Sequence, residues 1–368
     1  MTTRTTLKLA WLSFLTTTVI SSISSEVVAA NFNPNPIYSN AGNYTTAIPV
    51  TGSNSGFDST DIYYPIVSSS QTSLPVVLLL QGALVERDDY ANYASQIARY
   101  GFVVVVPDHT RTLVGPMGSF TGFFPDQHLI NDVLDFMADE NSNTNSPIAG
   151  QIDFNTAGLL GHSFGGAVGL ASIANICLPV LCDPTLGFSR PTALKAGLFY
   201  GASLRNQMTG EFIPINNSGV PTGLIAGEQD GVASLLSTIS TYQNIHPDTK
   251  LLVTLQGANH YGITNEDSSR DPVRPTLDQT TATETIARWS ALFLQAHLLD
   301  NQEAFDYVYR TGDSLDNNVM VRSSIPEPSL KLSIIVLGGL GVLSIVTPKI
   351  NHRRKRGKFF ARLKSFMH

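Results

Sequence analysis

Ser163 is the residue whose surroundings most clearly predict chemistry. It lies in the segment Gly-His-Ser-Phe-Gly-Gly (161–166), between an apolar run at 156–160 that predicts a buried strand and a small-residue run at 164–176 that predicts a helix. A residue at the tip of such a strand-turn-helix connection has a strained backbone, and the flanking glycines leave it room. The helix N-terminus favours the negative charge that develops in acyl transfer. The pattern predicts a serine nucleophile; the alternative is a glycine-rich turn without chemistry.

A serine hydroxyl attacks poorly until a base takes its proton, so a histidine is expected further along the chain. His246, His260 and His297 follow Ser163 before residue 325. His260 stands in a loop directly after a predicted strand, where the base of such a site belongs. His246 stands beside a proline in a polar connection and His297 inside the last predicted helix, which indicates surface or packing roles. The sequence predicts His260 as the base.

The carboxylate that orients the base is predicted at Asp230. This residue follows the predicted strand 222–226 in Gly-Glu-Gln-Asp-Gly, one strand before the loop of His260. The order serine, acid, histidine is typical of this kind of strand-turn-helix site. Glu228 is the near rival, whereas Asp248 stands on the wrong side of the next strand. A loop carboxylate that only forms an Asx turn is the alternative.

Two main-chain N–H groups must stabilise the oxyanion of the reaction. One belongs to the residue after the nucleophile, Phe164, and the other to a loop after an earlier strand. In Gln-Gly-Ala-Leu (81–84) the second donor is predicted at Ala83, with Leu84 as the alternative, because Gly82 allows a sharp turn before it.

The remaining polar motifs predict neither a metal site nor a cofactor. His162 precedes the nucleophile and is predicted to pack rather than to act as a second base. Asp108 and His109 form a pair without further spaced ligands, which is too little for a metal site.

The elements that would position these residues alternate between short apolar runs and longer amphipathic ones. Strands are predicted at 75–80, 102–106, 156–160, 196–200, 222–226 and 250–255, and helices at 90–100, 129–137, 164–176 and 283–299. Continuous apolar strands separated by helices predict an α/β fold with a mostly parallel central sheet and helices on both faces. Polar segments at 141–147 and 208–220 are predicted to be loops. No linker divides the body, so residues 31–325 are predicted to form one domain.

The charge of this body excludes some functions. Residues 31–325 carry 12 Lys and Arg and 27 Asp and Glu, a net charge of −15. A surface this acidic argues against binding of nucleic acid or of anionic lipid. The sequence does not predict an oligomeric state.

Residues 1–30 have the pattern of a secretory signal peptide. Arg4 and Lys8 precede an apolar stretch at 9–20, and small residues precede Asn31, so cleavage is predicted after Ala30 by a signal peptidase. An uncleaved anchor is the alternative, although the apolar stretch is short for a membrane span.

Residues 326–368 form a second special segment. Pro-Glu-Pro (326–328) precedes an apolar run at 332–346, which is predicted to lie in a membrane, and a Lys- and Arg-rich tail. The segment resembles the PEP-CTERM sorting signal of bacteria, which implies processing by an exosortase-type protease. The tail is longer than usual there, and a plain C-terminal anchor is the alternative. The patterns at residues 1–30 and 326–368 together predict an exported protein that is periplasmic, on the cell surface or secreted. The C-terminal segment either anchors this protein in the membrane or is removed.

Cys177 and Cys182 are separated by Leu-Pro-Val-Leu. Export permits a disulfide that closes this small loop. Two buried thiols are the alternative.

Four segments together resemble the chlorophyllase and polyester-hydrolase (cutinase-like) branch of the α/β-hydrolases. They are Leu-Leu-Leu-Gln-Gly-Ala, Tyr-Gly-Phe-Val-Val-Val-Val-Pro-Asp, Gly-His-Ser-Phe-Gly-Gly and Gly-Glu-Gln-Asp-Gly-Val-Ala. The resemblance spans roughly residues 60–300. It implies Ser163, Asp230 and His260 as a catalytic triad, Ala83 and Phe164 as oxyanion donors, no separate lid domain and a cleft open to bulky hydrophobic esters.

The sequence departs from both branches. Gln81 stands where many relatives have His or Pro, and Phe164 stands in place of the Arg of plant chlorophyllases and the Met of polyester hydrolases. We favour a chlorophyllase-like enzyme that cuts the phytyl ester of chlorophyll, although export fits that substrate poorly. The alternatives are a general extracellular carboxylesterase, lipase or polyester hydrolase, and a non-catalytic binding protein with a hydrolase fold.

Overall fold

A sheet of nine strands forms the centre of the computed structural model, which describes residues 32–67, 73–115, 118–206, 208–246 and 249–325. The strands of this sheet are β1 (Ala41–Pro49), β2 (Phe57–Pro65), β3 (Leu74–Leu80), β4 (Val103–Pro107), β7 (Ile152–His162), β8 (Leu194–Tyr200), β10 (Thr222–Gly227), β12 (Lys250–Leu255) and β13 (Val319–Ser324). Two smaller sheets are formed by β5 (Thr110–Gly115) with β6 (Gly118–Phe123), and by β9 (Ile215–Asn216) with β11 (Ile245–His246).

The order of strands across the large sheet is β1-β2-β4-β3-β7-β8-β10-β12-β13. The six central strands, from β4 to β12 in this order, are parallel to one another, and β1, β2 and β13 form antiparallel pairs at the two edges. The predicted strands are all present among the parallel ones. They are almost continuously apolar because helices cover both faces.

The helices are α1 (Ala91–Arg99), α2 (His128–Ser142), α3 (Ser163–Ile173), α4 (Leu235–Gln243), α5 (Gln279–Leu298), α6 (Gln302–Asp306) and α7 (Gly312–Leu315). A 3-10 turn at Arg87–Tyr90 leads into α1, and a π-helical turn at Tyr307–Thr311 follows α6.

Two separate apolar cores lie on the two faces of the sheet. Alternate residues of β3 divide between them, since Val77 and Leu79 belong to the core under α1 and α5, and Val76 and Leu78 to the core under α2 and α3. The period of two in a strand places neighbouring side chains on opposite faces in this way. The described residues belong to one compact unit, with no separate lid domain among them. The chain therefore has the α/β-hydrolase fold.

Two predicted loops differ from the structure. Helix α2 continues through Ser142, into the predicted loop 141–147, and the two residues of β9 lie within the predicted loop 208–220. Asn141 and Ser142 are polar residues that continue α2 beyond its apolar pattern, so that pattern ends before the helix does. Strand β9 consists of only Ile215 and Asn216, paired with β11, and is too short to show a strand pattern.

The predicted signal peptide (1–30) and the predicted sorting signal with its membrane segment (332–346) lie outside the described residues. Within residues 32–325, apart from the gaps given above, no helix is long and apolar enough to cross a membrane.

Candidate active site

Ser163 lies at the sharp turn between β7 and α3. Strand β7 ends at His162, α3 begins at Ser163, and the φ angle of Ser163 is 52°. A non-glycine residue in this left-handed region is strained, and such strain persists where the surrounding structure imposes it. The predicted nucleophile therefore has the backbone geometry of an elbow.

The glycines around Ser163 are required by close packing. A Cβ atom on Gly161 would lie 2.9 Å from both the carbonyl oxygen of Gly165 and the nitrogen of Gly166. A Cβ on Gly165 would collide with the carbonyl oxygen of Leu80 at the end of β3. Any side chain at these two positions would push α3 away from the sheet and move Ser163.

His260 and Asp230 form a buried pair at the same edge of the sheet. Nδ1 of His260 lies 2.7 Å from Oδ2 of Asp230, in loops that follow β12 and β10. The other carboxylate oxygen, Oδ1, accepts hydrogen bonds from the N–H groups of Val232 and Ala233 at 2.9 and 2.6 Å. Asp230 is thus fixed with one oxygen directed at the imidazole, which holds Nε2 as the free basic nitrogen.

His162 links the turn of Ser163 to the loop of His260. Its Nε2 lies 2.9 Å from the main-chain carbonyl oxygen of His260, and its Nδ1 lies 2.9 Å from the hydroxyl of Tyr90. A carbonyl only accepts, so Nε2 carries the proton and Nδ1 accepts from Tyr90. Burial and the neighbouring His260 hold the pKa of His162 well below its usual range, which keeps the ring neutral.

The hydroxyl of Tyr90 extends this link to the predicted oxyanion loop. It accepts a hydrogen bond from the N–H of Gly82 at 2.8 Å while it donates to His162. One buried chain of hydrogen bonds therefore joins the loop after β3, the residue before Ser163 and the loop of His260. Such a chain fixes the relative positions of all three segments.

The N–H groups around the predicted oxyanion donor have different partners. Those of Leu84 and Val85 donate to the carbonyl oxygens of Phe123 and Gly82, at 2.9 and 3.1 Å. Among the described residues, the N–H of Ala83 has no acceptor, and Ala83 faces the same cleft as Ser163. The N–H of Leu84, the alternative donor, is therefore already hydrogen-bonded.

Phe164 supplies the other predicted donor from the first turn of α3, where main-chain N–H groups have no acceptor within the helix. Its ring packs edge-on against Phe124, with centroids 5.9 Å apart. The side chain is thereby held at the wall of the cleft.

A cavity of about 370 Å³ opens at this turn. Ser163, Ala83 and Gly201 line it together with apolar side chains that include Phe164, Leu181 and Val232. A mostly apolar lining of this kind suits an apolar ligand that presents a polar group to Ser163. Among the described residues, no hydrogen bond joins Ser163 to His260, as is common in unliganded sites.

Gly201 lies between the cavity of Ser163 and the pair of His260 and Asp230. It lines the cavity beside Ser163, and a Cβ atom there would lie 2.9 Å from Nδ1 of His260 and 3.0 Å from Oδ2 of Asp230. Its φ angle of 56° also favours glycine. The structure thus brings Ser163, Asp230, His260, Ala83 and Phe164 to one end of the sheet.

Residues 24–178 match the PETase family model, described as PET hydrolase-like. No curated protein matches the chain. The matched segment covers less than half of the 368 residues; it contains Ser163 and Ala83 but ends before Asp230 and His260. The match, to a family of α/β-hydrolases, indicates an ester hydrolase.

Two supporting residues escaped the sequence analysis. Asp271 accepts hydrogen bonds from the N–H groups of His260 at 2.8 Å and Gly231 at 3.3 Å. Arg270 donates to the carbonyl oxygens of Ala83 and Leu84, at 2.7 and 3.0 Å. Both stand in an irregular loop and bind main-chain groups, so no motif or spacing marks them in the sequence.

The other sequence-predicted residues lie away from the cleft or support it. Cys177 and Cys182 are joined by a disulfide. His297 packs inside α5 and lies 2.8 Å from the hydroxyl of Tyr309. His109 is buried in an ion pair with Asp58, 2.7 Å away. Among the described residues, no group of three or more His, Cys, Asp or Glu is arranged to hold a metal ion.

Proposed function

We propose that this protein is a serine hydrolase that cuts carboxylic esters through an acyl-enzyme. The buried pair of His260 and Asp230, 2.7 Å apart beside the strained turn of Ser163, carries the proposal. A histidine held by a carboxylate next to a half-buried serine that lines a cleft is the arrangement that activates a hydroxyl for attack.

In the proposed first half-reaction, Oγ of Ser163 attacks the ester carbonyl carbon while Nε2 of His260 takes the hydroxyl proton. Asp230 stabilises the imidazolium that forms. The N–H groups of Ala83 and Phe164 bind the carbonyl oxygen as it becomes negative. The intermediate collapses, the alkoxide leaves with the proton from His260, and the acyl group stays on Ser163.

The second half-reaction repeats these steps with water. His260 takes a proton from the water, whose oxygen attacks the acyl carbon, and the same two N–H groups bind the oxyanion. The Ser163 oxygen then leaves with the proton from His260, which releases the carboxylic acid and restores the enzyme. Atoms and charge balance over the two halves as ester plus water to acid plus alcohol.

A bulky hydrophobic ester is the proposed substrate class, because most of the residues that line the cleft of Ser163 are apolar. The family match supports the polyester or general carboxylic ester alternative, and it gives no support to the chlorophyllase activity that the sequence resemblance favoured. We therefore propose a polyester or similar apolar ester as the substrate ahead of chlorophyll.

The proposal is tested with a p-nitrophenyl ester and the Ser163→Ala variant. We expect the wild type to release p-nitrophenol and the variant to lose nearly all of the rate. Equal rates in both proteins, or none in the folded wild type, would support the non-catalytic alternative. Release of acid from an aliphatic polyester film, tributyrin and chlorophyll a, compared for the same preparation, then ranks the substrate classes.

We also propose that the enzyme acts outside the cytoplasm. The disulfide of Cys177 and Cys182 supports an oxidising compartment, together with the patterns predicted at residues 1–30 and 326–368. The intact mass of the protein purified from its native cell tests this: a chain that starts at Asn31 is expected, and a chain that starts at Met1 would contradict it.

A further inference from the structure

A second cavity lies beside the cleft of Ser163. It has a volume of about 330 Å³, and most of its lining is apolar, contributed by Leu178, Pro179, Val180, Met208 and Ile213. Leu181 and Arg205 line both cavities. The two spaces are therefore neighbours with shared walls, and together they form an extended site.

The loop between the two cysteines forms one wall of this second cavity, and it is firmly held. The disulfide of Cys177 and Cys182 closes the loop. Arg111 donates to the carbonyl oxygen of Val180, and the N–H of Gln127 donates to that of Leu181 at 3.0 Å. These bonds tie the loop to β5 and to the start of α2, so this wall of the cavity is held in place by the fold itself.

Val180 shows that this shape is imposed. Its φ angle is 74°, in a region that a β-branched residue rarely adopts. Strained backbone of this kind is concentrated at ligand-binding and catalytic sites, where the fold imposes it. The strained residue here lies on the cavity wall.

Arg205 lies where the two cavities meet, and its guanidinium group is positively charged. Its guanidinium carbon lies 5.5 Å from the ring centre of Phe212. Among the described residues, no carboxylate forms an ion pair with it. A guanidinium in this position can donate to the oxygen of an uncharged carbonyl group or of a carboxylate.

We infer that the second cavity is a subsite for the part of the substrate beyond the reacting ester group, and that Arg205 binds an oxygen of the next ester or carboxylate along that substrate. The preferred substrate is then an extended apolar molecule with more than one carboxyl group, such as a diester or a segment of an aliphatic polyester. This inference rests on the proposed function.

The apolar part of the inference is tested by filling the cavity. Met208→Trp and Ile213→Trp each add bulk to its lining. We measure kcat/KM on p-nitrophenyl acetate and laurate, and on hexyl and dodecyl acetate, so that the chain extends on either side of the ester. Met208 is 93 % exposed, so its replacement leaves the fold intact. Leu186→Trp, at an exposed residue outside both cavities, is the matched control.

We expect the two filling variants to lower kcat/KM on the long member of at least one series about tenfold, with the short esters unchanged, because loss of an apolar pocket has an effect of this size. The control should match the wild type. Unchanged rates on both long esters, or equal losses on long and short esters, would overturn the inference.

The polar part is tested with Arg205→Gln and Arg205→Lys. The substrates are p-nitrophenyl hexanoate and the mixed p-nitrophenyl methyl diester of adipic acid, which has a similar length and a second ester group. We expect Arg205→Gln to lower kcat/KM severalfold on the diester only, and Arg205→Lys to restore part of it. Equal rates on the diester in all three proteins would overturn the role of Arg205.

These experiments separate the inference from the proposed function. Loss of all activity in Ser163→Ala together with unaltered chain-length preference in the filling variants would leave the esterase proposal in place and remove the subsite. Full activity in Ser163→Ala would remove the proposed function itself.

Discussion

His162 donates a hydrogen bond from Nε2 to the main-chain carbonyl oxygen of His260, 2.9 Å away. The residue that precedes the proposed nucleophile thus holds the loop of the proposed base directly. Their rings lie 4.7 Å apart, and both side chains are buried. The relative position of Ser163 and His260 therefore depends on a neutral histidine that takes no part in the proposed proton transfers.

His162→Phe should separate this positioning role from packing. The variant keeps an aromatic ring but leaves the carbonyl of His260 without its donor, so we expect kcat to fall about ten- to hundredfold, as small displacements of reacting groups do. KM should change little. The measurement is steady-state kinetics on a p-nitrophenyl ester.

His297→Phe is the matched control for that experiment. His297 is a half-buried histidine that also has a tyrosine hydroxyl as a partner, that of Tyr309, but it lies in α5 away from the cleft. The His297→Phe variant should lose about 1–3 kcal/mol in the free energy of unfolding, without a change in kcat. Equal losses of kcat in both variants would show that His162 only packs.

Arg270→Gln should weaken the proposed oxyanion site. Arg270 donates to the carbonyl oxygens of Ala83 and Leu84, and so fixes the two peptide groups that directly follow the proposed donor. We expect kcat to fall about tenfold with KM nearly constant, because the oxyanion forms only in the transition state. Arg270→Lys should recover part of the loss.

A matched control for Arg270 is Arg310→Gln, which removes a surface ion pair with Asp306. Its kcat should equal that of the wild type. If Arg270→Gln raised KM and left kcat unchanged, the residue would be a substrate contact instead of a support for Ala83.

Asp271→Asn should disturb the loops of both proposed triad partners. Each oxygen of Asp271 accepts from a main-chain N–H: Oδ2 from His260 and Gly231, Oδ1 from Val273. An amide NH2 group would face an N–H whichever way it turned. We expect a loss of about 1–3 kcal/mol in the free energy of unfolding, together with a lower kcat/KM.

Asp278→Asn is the comparison for this variant. Asp278 caps α5 through one oxygen, which accepts from the N–H of Thr281, and an asparagine caps a helix equally well. Both stability and kcat/KM should stay close to those of the wild type. An Asp271→Asn protein with unaltered urea unfolding and kinetics would contradict the role given to Asp271.

Because of His109, we expect the free energy of unfolding to fall as the pH rises into the alkaline range. Burial by itself lowers the pKa of His109, but the nearby charges of Asp126 and Asp58 and the hydrogen bond to Asp58 outweigh it and raise the pKa to about 9. An unfolded histidine has a pKa of about 6.5. The stabilisation from this group is fully present below about pH 6.5 and is lost as the pH rises through about 9.

The measurement is the free energy of unfolding in urea at pH 6, 7.5 and 9, for the wild type and His109→Gln. We expect the wild type to lose stability over this range and the variant to lose less. Parallel curves for the two proteins would mean that His109 is not protonated in the folded state.

The positions of the proposed triad are predictable from sequence for a physical reason. Ser163, Asp230 and His260 each follow a parallel strand, β7, β10 and β12, and the carboxyl ends of parallel strands lie at one edge of the sheet. The buried strands are visible as apolar runs. A fold made of such strands therefore predicts where three distant loops meet.

The edges of the sheet are much less predictable. Strand β1 alternates between exposed and half-buried residues, and the paired strands β5 and β6 are mostly exposed. Little apolar pattern remains in such segments, since one or both faces are solvated. Asp271 and Arg270 cannot be recognised from the sequence for another reason. Both bind main-chain groups, and every residue type has a main-chain group, so no pattern of side chains marks their partners.

Covalent trapping of the nucleophile tests directly whether Ser163 forms the proposed acyl-enzyme. The wild type and Ser163→Ala are incubated with an alkyl p-nitrophenyl phosphonate, and the adduct is counted by intact mass and located by peptide mapping. We expect one phosphonyl group per wild-type chain, on Ser163, with loss of esterase activity, and none on the variant. An active wild type that is modified at another residue, or a Ser163→Ala protein that keeps esterase activity, would contradict it.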